Sequence, residues 1–599
     1  MTGICFHALS SGLDRERGAA AAEAAAASSR YDATPVWVGD RLACYDVSYE
    51  AYPTTVVDAG ESTVIVEGHL YDADPTEAAS VVDEHVAEGS PDAALAEWLG
   101  QRDGEFVLYH ASPDERLTVL GDALGRLPLC YAAVDGAVAG GRSIHFVKHL
   151  LDAAGFDLTV DRDGLAETLL LNYALGDKTL IGEIDKAGPA TVLDVTPSSI
   201  RRSRYREIDL DEPKTPDRSL SAHATAVADR IRDTCRRRAN LDGTHLVSLS
   251  GGLDSRTVAA GLDAVGADFS AASFTRPATT TRKDVRVALD VAQTLGIEYA
   301  VFPVENTGSG MVDLLHRTGG LNYLAMGFLV DYYERLQARY EAPIQHYTGD
   351  VGALLKGDWT IQADVASMDD AVDLVLDREG AMPVETVADL TGLEPDRLRG
   401  LVADRLRSFP EEQPAHMAEH FLLREHGLNW CYRAEDRNRS FVWNHAPLNA
   451  RPVVDSLLSV PREYLTDYRL YEAVLTDLDP DLAALPYSPF GAPLGSFEQR
   501  AKQRAYELIP NQSRLQRTVK RLVLNRDGYP EPVARCLQDQ LSNGADLDDV
   551  VDTAALADFA ADPSAHTSKA GFDVLTVTSM VEYVRDGDLT LEDYASEEF

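Results

Sequence analysis

Six consecutive residues near the middle of the chain have the types and spacing of an anion-binding loop. Ser250-Gly251-Gly252-Leu253-Asp254-Ser255 follow a short apolar run and precede a predicted helix. Glycines let the backbone turn tightly and approach a ligand that a Cβ would keep away. Their N–H groups and the helix N-terminus then point at one place, which suits a pyrophosphate group. Asp254 would be an unfavourable charge there unless a cation such as Mg²⁺ joined the phosphates.

The plainer interpretation of these residues is a glycine-rich turn in which Asp254 only caps the following helix. The context favours the functional interpretation, because the loop lies between an apolar strand, predicted at 246–249, and a helix. The G-x-x-x-x-G-K-[ST] loop of enzymes that transfer a γ-phosphate does not occur in the sequence. The loop resembles instead the PP-loop of enzymes that cleave ATP to AMP and pyrophosphate.

Two further segments resemble the synthetase half of the asparagine synthetase family. Ser273-Phe274-Thr275 resembles the strand whose backbone contacts adenine in that family. Residues 346–359 (HYTGDVGALLKGDW) lie where the family has a loop like Ser-Gly-Glu-Gly-Ala-Asp-Glu. The resemblance implies that Thr348 and Gly349 contact the nucleotide and that Asp350 is the catalytic acid near the acyl-adenylate.

The same resemblance implies ATP and Mg²⁺ as cofactors, with Asp254 as the metal ligand. The ATP-binding residues that it implies are Ser248, Ser250, Gly251, Gly252, Asp254, Ser255, Phe274, Thr348 and Gly349.

The sequence also departs from the family at several positions. Ala353 and Leu354 stand where the family has an Asp-Glu pair, of which the Asp helps to hold the metal. Tyr468-Arg469-Leu470 occupies the place of the family's catalytic lysine, and an arginine cannot release a proton at neutral pH. The two nearby lysines, Lys356 and Lys502, are expected to be surface residues.

Residues 1–155 resemble the glutaminase domain of the same family. Residues 66–71 (VEGHLY) correspond to its Phe-Asn-Gly-Glu-Ile-Tyr, and residues 122–131 (DALGRLPLCY) to its Asp-Arg-x-Gly-x-x-Pro-Leu-Tyr-Tyr. However, Thr2 replaces the nucleophilic Cys, Glu67 replaces the Asn that donates to the oxyanion, and His69 replaces a Glu that seats the substrate. Losing one oxyanion donor costs about 100- to 1000-fold in rate. We therefore expect an inactive scaffold, as in β-lactam synthetases and lasso-peptide cyclases, with a Thr2 nucleophile as the alternative.

Hydrophobic periodicity divides the chain into four parts. Short alternating segments near the N-terminus predict strands, and strands alternating with helices from about 222 predict a parallel sheet covered on both faces. We expect an αββα N-terminal-nucleophile-type domain at 1–155 and a connecting region and linker at 156–220. An α/β PP-loop domain of the adenine nucleotide α-hydrolase type, mostly helical in its later part, is expected at 221–505. A helical tail, which includes the basic segment 514–526, is expected at 506–599.

The composition excludes several classes of function. The chain has 599 residues, a net charge of −42 and nine lysines, so nucleic acid is not an expected partner. Six widely spaced cysteines without a C-x-x-C pair argue against a zinc site or a disulfide framework. No signal peptide or long apolar run is present, which predicts a cytoplasmic protein with no membrane partner. The acidic, lysine-poor surface predicts a halophilic protein stabilised by salt, the alternative being an ordinary acidic enzyme.

These observations lead to one hypothesis and three alternatives. A small-molecule carboxylate would react with ATP to give acyl-AMP and pyrophosphate, and an amine or ammonia would then give the amide. A homodimer is compatible with this hypothesis. The alternatives are a true asparagine synthetase that uses ammonia, a non-catalytic ATP-binding homologue and, with less support, a tRNA-modifying PP-loop enzyme. The last would need a basic face and often paired cysteines, which the sequence lacks.

Overall fold

The computed structural model shows a mixed α/β protein with several sheets and many helices. It describes residues 2–9, 13–26, 29–87, 89–208, 210, 215, 217–276, 281–350, 352–361, 365–507, 528–543, 547–585 and 589–599. The predicted basic segment 514–526 lies outside the described residues. All six cysteines are buried and free of disulfide bonds.

The described part of the front half consists of two antiparallel six-stranded sheets, a two-stranded hairpin of β6 and β7, and five helices. The strands are β1 Gly3–Ala8, β2 Tyr31–Val38, β3 Leu42–Tyr49, β4 Thr54–Ala59, β5 Ser62–Leu70, β6 Val86–Ala87, β7 Ser90–Pro91, β8 Gly104–Ser112, β9 Arg116–Gly121, β10 Leu129–Val134, β11 Ala137–Gly141, β12 Asp185–Ala187, β13 Thr191–Thr196 and β14 Ser199–Arg204. The helices are α1 Arg15–Ala24, α2 Pro75–His85, α3 Ala93–Gln101, α4 Ile144–Ala154 and α5 Arg162–Leu171. The strand orders are β12-β10-β11-β1-β3-β2 and β14-β13-β9-β8-β5-β4.

The two sheets stack face to face because alternate residues of each strand point to opposite sides. In β1, Ile4 and Phe6 pack against the second sheet, whereas Cys5 faces α1 and α4. In β5, Ile65 packs between the sheets and Val64 packs against α2 and α3. The layers are therefore helix, sheet, sheet, helix.

The boundary predicted at residue 155 is too early. Strands β12, β13 and β14 belong to the two front sheets, so the front half extends to Arg204. Residues 157–205 are consequently not a connecting region. Alternation is weak in this part of the sequence, because β12 and β13 are almost wholly buried and β14 is a polar edge strand.

The second half contains a five-stranded parallel sheet in the order β17-β16-β15-β18-β19. Its strands are β15 Thr244–Ser248, β16 Ser270–Thr275, β17 Tyr299–Pro303, β18 Ile344–Tyr347 and β19 Trp443–His445, and a short hairpin adds β20 Pro486–Tyr487 and β21 Ala492–Pro493. Helices on both faces cover the sheet, which confirms the predicted alternation.

The helices of this half are more numerous than its strands. They are α6 Leu220–Ala239, α7 Asp254–Ala264, α8 Thr281–Leu295, α9 Gly308–Thr318, α10 Phe328–Arg339, α11 Ala353–Lys356, α12 Met368–Glu379, α13 Val384–Thr391, α14 Pro395–Arg407, α15 Pro414–Phe421, α16 Arg433–Arg439, α17 Arg451–Leu458, α18 Arg462–Leu465, α19 Arg469–Leu478, α20 Pro480–Ala483 and α21 Phe497–Glu507. A π-helix spans Leu422–Tyr432, and 3-10 turns span Leu324–Met326, Pro447–Asn449 and Thr466–Tyr468.

The described part of the C-terminal tail is helical and packs into the protein core. Its helices are α22 Glu531–Ser542, α23 Thr553–Ala561 and α24 Ser568–Arg585, with 3-10 turns at Pro563–Ala565 and Thr590–Tyr594. Leu575 of α24 lies in the same core as Leu165 of α5. The last residue, Phe599, donates its N–H to the carbonyl of Asn306 at 2.8 Å. Among the described helices, none has both the length and the apolar character that a bilayer span requires.

Buried ion pairs join the two halves. Three ion pairs cross the contact. Arg126 and Arg142 of the front half pair with Glu435, at 2.8 Å, and with Asp436. Arg238 of the second half pairs with Glu105 of the front half at 2.9 Å. All six side chains are at most 1% exposed. A buried charge is tolerated only when it is paired, so these pairs fix how the two halves meet.

Candidate active site

The loop between β15 and α7 is held by its own serines. Ser250 bonds to the hydroxyl of Ser255 through both its N–H and its Oγ, each at 3.0 Å. The N–H of Gly252 donates to Ser250 Oγ at 3.2 Å. The loop therefore keeps a fixed shape at the N-terminus of α7, where helix geometry favours an anion.

Gly251 is required by close packing above this loop. A Cβ at this position would lie 2.8 Å from Ser488 Cβ, in the β20–β21 hairpin, and 2.9 Å from the backbone of Asp284, in α8. Ser488 also donates a hydrogen bond to Asp284. The hairpin and α8 thus close over one side of the loop.

The segment after β18 lies against the start of α7. A Cβ on Gly349 would collide with the backbone N of Ser255, and a Cβ on Gly352 would collide with the carboxylate of Asp254. Both glycines are needed for this approach. The structure therefore brings together the two loops that the sequence predicts to share a ligand.

Asp350 lies in this second loop, partly buried. Burial raises the pKa of its carboxyl group, and the nearby charges of Glu435 and Asp254 act in the same direction. Arg437 and a hydrogen bond from Thr348 oppose that rise. An elevated pKa suits a group that accepts a proton during a reaction.

The carboxylate of Asp254 has two partners. It forms an ion pair with the ammonium of Lys356, and the hydroxyl of Tyr471 donates to it at 3.0 Å. Burial lowers the pKa of Lys356, but the charge of Asp254 raises it, and the net shift is upward. Lys356 is therefore a cation at neutral pH, at the position where α7 would receive an anion.

The prediction that Lys356 is a surface residue is wrong. Its side chain is 17% exposed, because α11 begins at the close contact between Gly352 and Asp254 and directs the lysine back to the loop. The sequence offered one signal: Lys356 follows the altered positions Ala353 and Leu354 by less than one helical turn. In contrast, Lys502 is exposed and paired with Glu498 at 2.6 Å.

Arg469, the residue that the resemblance aligns with a catalytic lysine, lies on the surface. It is exposed and donates to the backbone carbonyl of Glu463 at 3.0 Å. Ala353 and Leu354 pack against an apolar cluster that includes Trp359 and Leu422. Both positions therefore hold packing residues, as their apolar side chains suggest.

A metal ion held by the protein alone does not fit these residues. Among the described residues, no group of three or more His, Cys, Asp or Glu side chains is placed to hold one. Asp254, the predicted ligand, faces an ammonium and a phenol hydroxyl. A cation at this point would depend on oxygens of the nucleotide itself, and no step of the reaction proposed below depends on one.

The side chains of Ser248 and Phe274, which the resemblance places near adenine, are already engaged within the protein. The hydroxyl of Ser248 bonds to the hydroxyl of Tyr332 at 3.0 Å and to His346 Nε2 at 2.8 Å. The ring of Phe274 packs against Phe328, with centroids 5.0 Å apart. The side chains of Ser248 and Phe274 thus pack against α10. Only their backbone atoms are left to contact a ligand at the carboxyl edge of the sheet.

The front half has its own buried polar cluster around Thr2. Thr2 is 1% exposed and its hydroxyl donates to the carbonyl of Arg439 at 3.5 Å. Glu67 fills the space beside it and accepts hydrogen bonds from Tyr52 at 2.6 Å, Tyr109 at 2.9 Å and Arg142 at 2.9 Å. A Cβ on Gly3 would collide with Glu67. The space beside Thr2 is therefore occupied by a carboxylate.

Aromatic side chains fill the remaining part of this cluster. The ring of Trp443 lies edge-on to His69, with centroids 5.0 Å apart, and to Tyr52 at 5.7 Å. Burial lowers the pKa of His69 to about 4, so the imidazole is neutral near pH 7. Trp443 comes from β19, so the second half closes the cluster.

We expect this front half to release no glutamate from glutamine. The purified protein should give glutamate at the background rate, because Thr2 is enclosed and Glu67 would repel an oxyanion. Thr2→Ala should leave that rate unchanged. Cys5→Ala is the control for stray thiol activity, since burial raises the pKa of Cys5 to about 12. A rate above background that disappears in Thr2→Ala would contradict the expectation.

No protein-family model and no curated protein matches the chain. Among solved structures, the chain is similar to the allosteric regulatory enzyme of purine biosynthesis, with 8% identity and a TM-score of 0.23 over 50% of this chain and 80% of that one. It is also similar to NMN synthetase from Francisella tularensis, with 15% identity and a TM-score of 0.20 over 36% of this chain and 97% of that one. Both TM-scores are low, so neither likeness carries an argument about function.

Proposed function

We propose that this protein is an ATP-dependent ligase of the asparagine synthetase type, which activates a carboxylate as acyl-AMP and forms an amide. One observation carries the proposal: the loop 250–255 and the segment after β18 meet at Asp254, and Lys356 forms an ion pair with that carboxylate. An anion-binding helix start, a fixed cation and an acid of raised pKa then lie at one edge of a parallel sheet, which is where open α/β sheets bind ligands.

The loop 250–255 would bind the pyrophosphate part of ATP. A carboxylate oxygen of the substrate attacks the α-phosphorus, the bond from that phosphorus to the bridging oxygen breaks, and pyrophosphate leaves with the electron pair. Negative charge grows on the leaving group, and a fixed ammonium such as that of Lys356 stabilises it. The upward pKa shift keeps Lys356 charged throughout.

The second step would form the amide. The amine nitrogen attacks the acyl carbon, AMP leaves, and the nitrogen loses a proton. Asp350 is the proposed acceptor of that proton, since its pKa is raised by burial. Free ammonia or another amine supplies the nitrogen, because Glu67 and Trp443 occupy the space beside Thr2 in the front half.

Two observations favour a second candidate, a nucleotide-binding protein without turnover. Ala353 and Leu354 replace acids, and Asp254 is already neutralised by Lys356. Such a protein would bind ATP and release no pyrophosphate. A true asparagine synthetase that uses ammonia is the third possibility and differs only in the carboxylate.

A pyrophosphate-release screen tests these candidates. We expect release from ATP with at least one carboxylic acid, tested one at a time in potassium chloride with ammonia or glutamine; aspartate is the arm for asparagine synthesis. Asp254→Asn keeps the side-chain shape but frees Lys356 and should lower the rate at least 100-fold. Asp263→Asn, on the exposed end of the same helix, is the control. ATP binding by calorimetry without pyrophosphate from any acid would select the non-catalytic candidate.

A further inference from the structure

A cleft of about 430 Å³ lies where the front half meets α6 and α17. Its walls come from both helices, from Asp72 and Gln101 of the front half, and from Arg218 just before α6. None of the residues that line it belongs to loop 250–255 or loop 348–352. Small-molecule sites have volumes of about 300–1,000 Å³ and occur preferentially at domain interfaces.

Four arginines line this cleft, namely Arg218, Arg230, Arg237 and Arg451. The three lining carboxylates already have arginine partners: Asp455 pairs with Arg206 at 3.1 Å and Arg451 at 2.5 Å, Asp233 with Arg236 at 2.5 Å, and Asp72 with Arg102 and Arg237, both at 3.9 Å. The acids therefore do not neutralise the remaining arginines. In a chain with a net charge of −42, this local excess of positive charge is unusual.

Two of the lining guanidinium groups are exposed and available to a ligand. Within the described part of the chain, no group accepts a hydrogen bond from the guanidinium of Arg218 or of Arg230. The Nε of Arg451 is buried and also lacks an acceptor among those residues. A guanidinium offers planar, paired donors that match the oxygens of a carboxylate or a phosphate.

We propose that this cleft binds a small polyanion that carries at least two oxyanion groups, phosphate or carboxylate. Arg218 and Arg230 supply the guanidinium groups that face the cleft without an acceptor among the described residues. All four arginines belong to the second half, on or next to α6 and α17. Bound anion removes the repulsion among them, and the protein becomes more stable when the anion is present.

The test titrates the full-length protein with citrate and, separately, with inorganic phosphate, at constant ionic strength so that screening does not change. Calorimetry measures the affinity, and thermal melting measures the stabilisation. We expect both probes to bind the wild-type protein and to raise its melting temperature. The double variant Arg218→Ala/Arg230→Ala should bind at least tenfold more weakly. Both residues are exposed, so its fold should be retained.

A charge-matched double variant distinguishes a site from general electrostatics. Arg399→Ala/Arg407→Ala removes one half-buried and one exposed arginine of α14, neither of which lines the cleft, and should bind like the wild type. Equal weakening in both double variants would overturn the proposal. Unchanged affinity in the cleft variant would overturn it as well, because the anion would then bind elsewhere, for instance at loop 250–255. No binding of either probe to the wild type would also overturn it. Preference for citrate or for phosphate identifies the oxyanion.

Discussion

Replacing Lys356 by alanine should lower the turnover number for pyrophosphate release by at least 100-fold and should change KM for ATP much less. The reason is that the ammonium faces the loop where charge develops in the transition state, and the loss of one such group costs about 10²–10³ in rate. Lys356→Arg keeps the charge but changes its shape, so partial activity should return. Initial rates over a range of ATP concentrations measure both quantities.

Lys502→Ala is the matched control for this change. Lys502 is exposed and pairs with Glu498 on the surface, so its loss should leave the rate unchanged. Thermal melting of Lys356→Ala is needed as well, because the variant leaves Asp254 with Tyr471 as its remaining described partner. A Lys356→Ala protein that melts and turns over like the wild type would remove Lys356 from the mechanism.

Glu435→Ala should destabilise the protein by about 3–5 kcal/mol, the usual cost of leaving a buried charge without its partner. Glu435 is fully buried and accepts hydrogen bonds from Arg126 at 2.8 Å, Arg439 at 2.9 Å and Asn449 at 2.6 Å. Its removal leaves two arginines enclosed without that acceptor. Denaturant unfolding, followed by far-ultraviolet circular dichroism, measures the change in the free energy of unfolding.

Glu498→Ala removes a surface ion pair and serves as the comparison. Exposed pairs contribute about 0–1 kcal/mol, so the two variants should differ by several kcal/mol. Because Arg126 belongs to the front half and Glu435 to the second, loss of the pair should also separate the unfolding of the two halves. A change below about 1 kcal/mol in Glu435→Ala would show that the buried pairs do not hold the contact.

The same helix connects this contact to the candidate site. In α16, Glu435 and Asp436 pair with arginines of the front half, while the charge of Arg437 acts on Asp350. An inactive front half would therefore still have a structural role. It holds the helix that sets the charge around Asp350.

Much of the second half could be predicted because its signals are local. The apolar run at 246–249, the glycines after it and the amphipathic helix after Asp254 each reflect a physical preference of a few neighbouring residues, and the parallel sheet follows from their alternation. Residues 157–205 were misassigned because buried and edge strands do not alternate clearly. Their place in the two front sheets depends on distant partners such as β9 and β10.

By itself, the sequence determined the alternation of strands and helices in the second half and the glycine-rich loop at 250–255, because residue type and spacing along the chain are sufficient for each. The altered chemistry at Thr2 and Glu67 stays a prediction from resemblance. Only the tertiary structure decided that Lys356 lies against Asp254, that Trp443 closes the cluster around Thr2, and that Arg218 and Arg230 share a cleft. Each of these depends on contacts between segments far apart in sequence. The physical reason is that burial and pairing of a charge depend on the surrounding three-dimensional structure, which no short pattern of residues specifies.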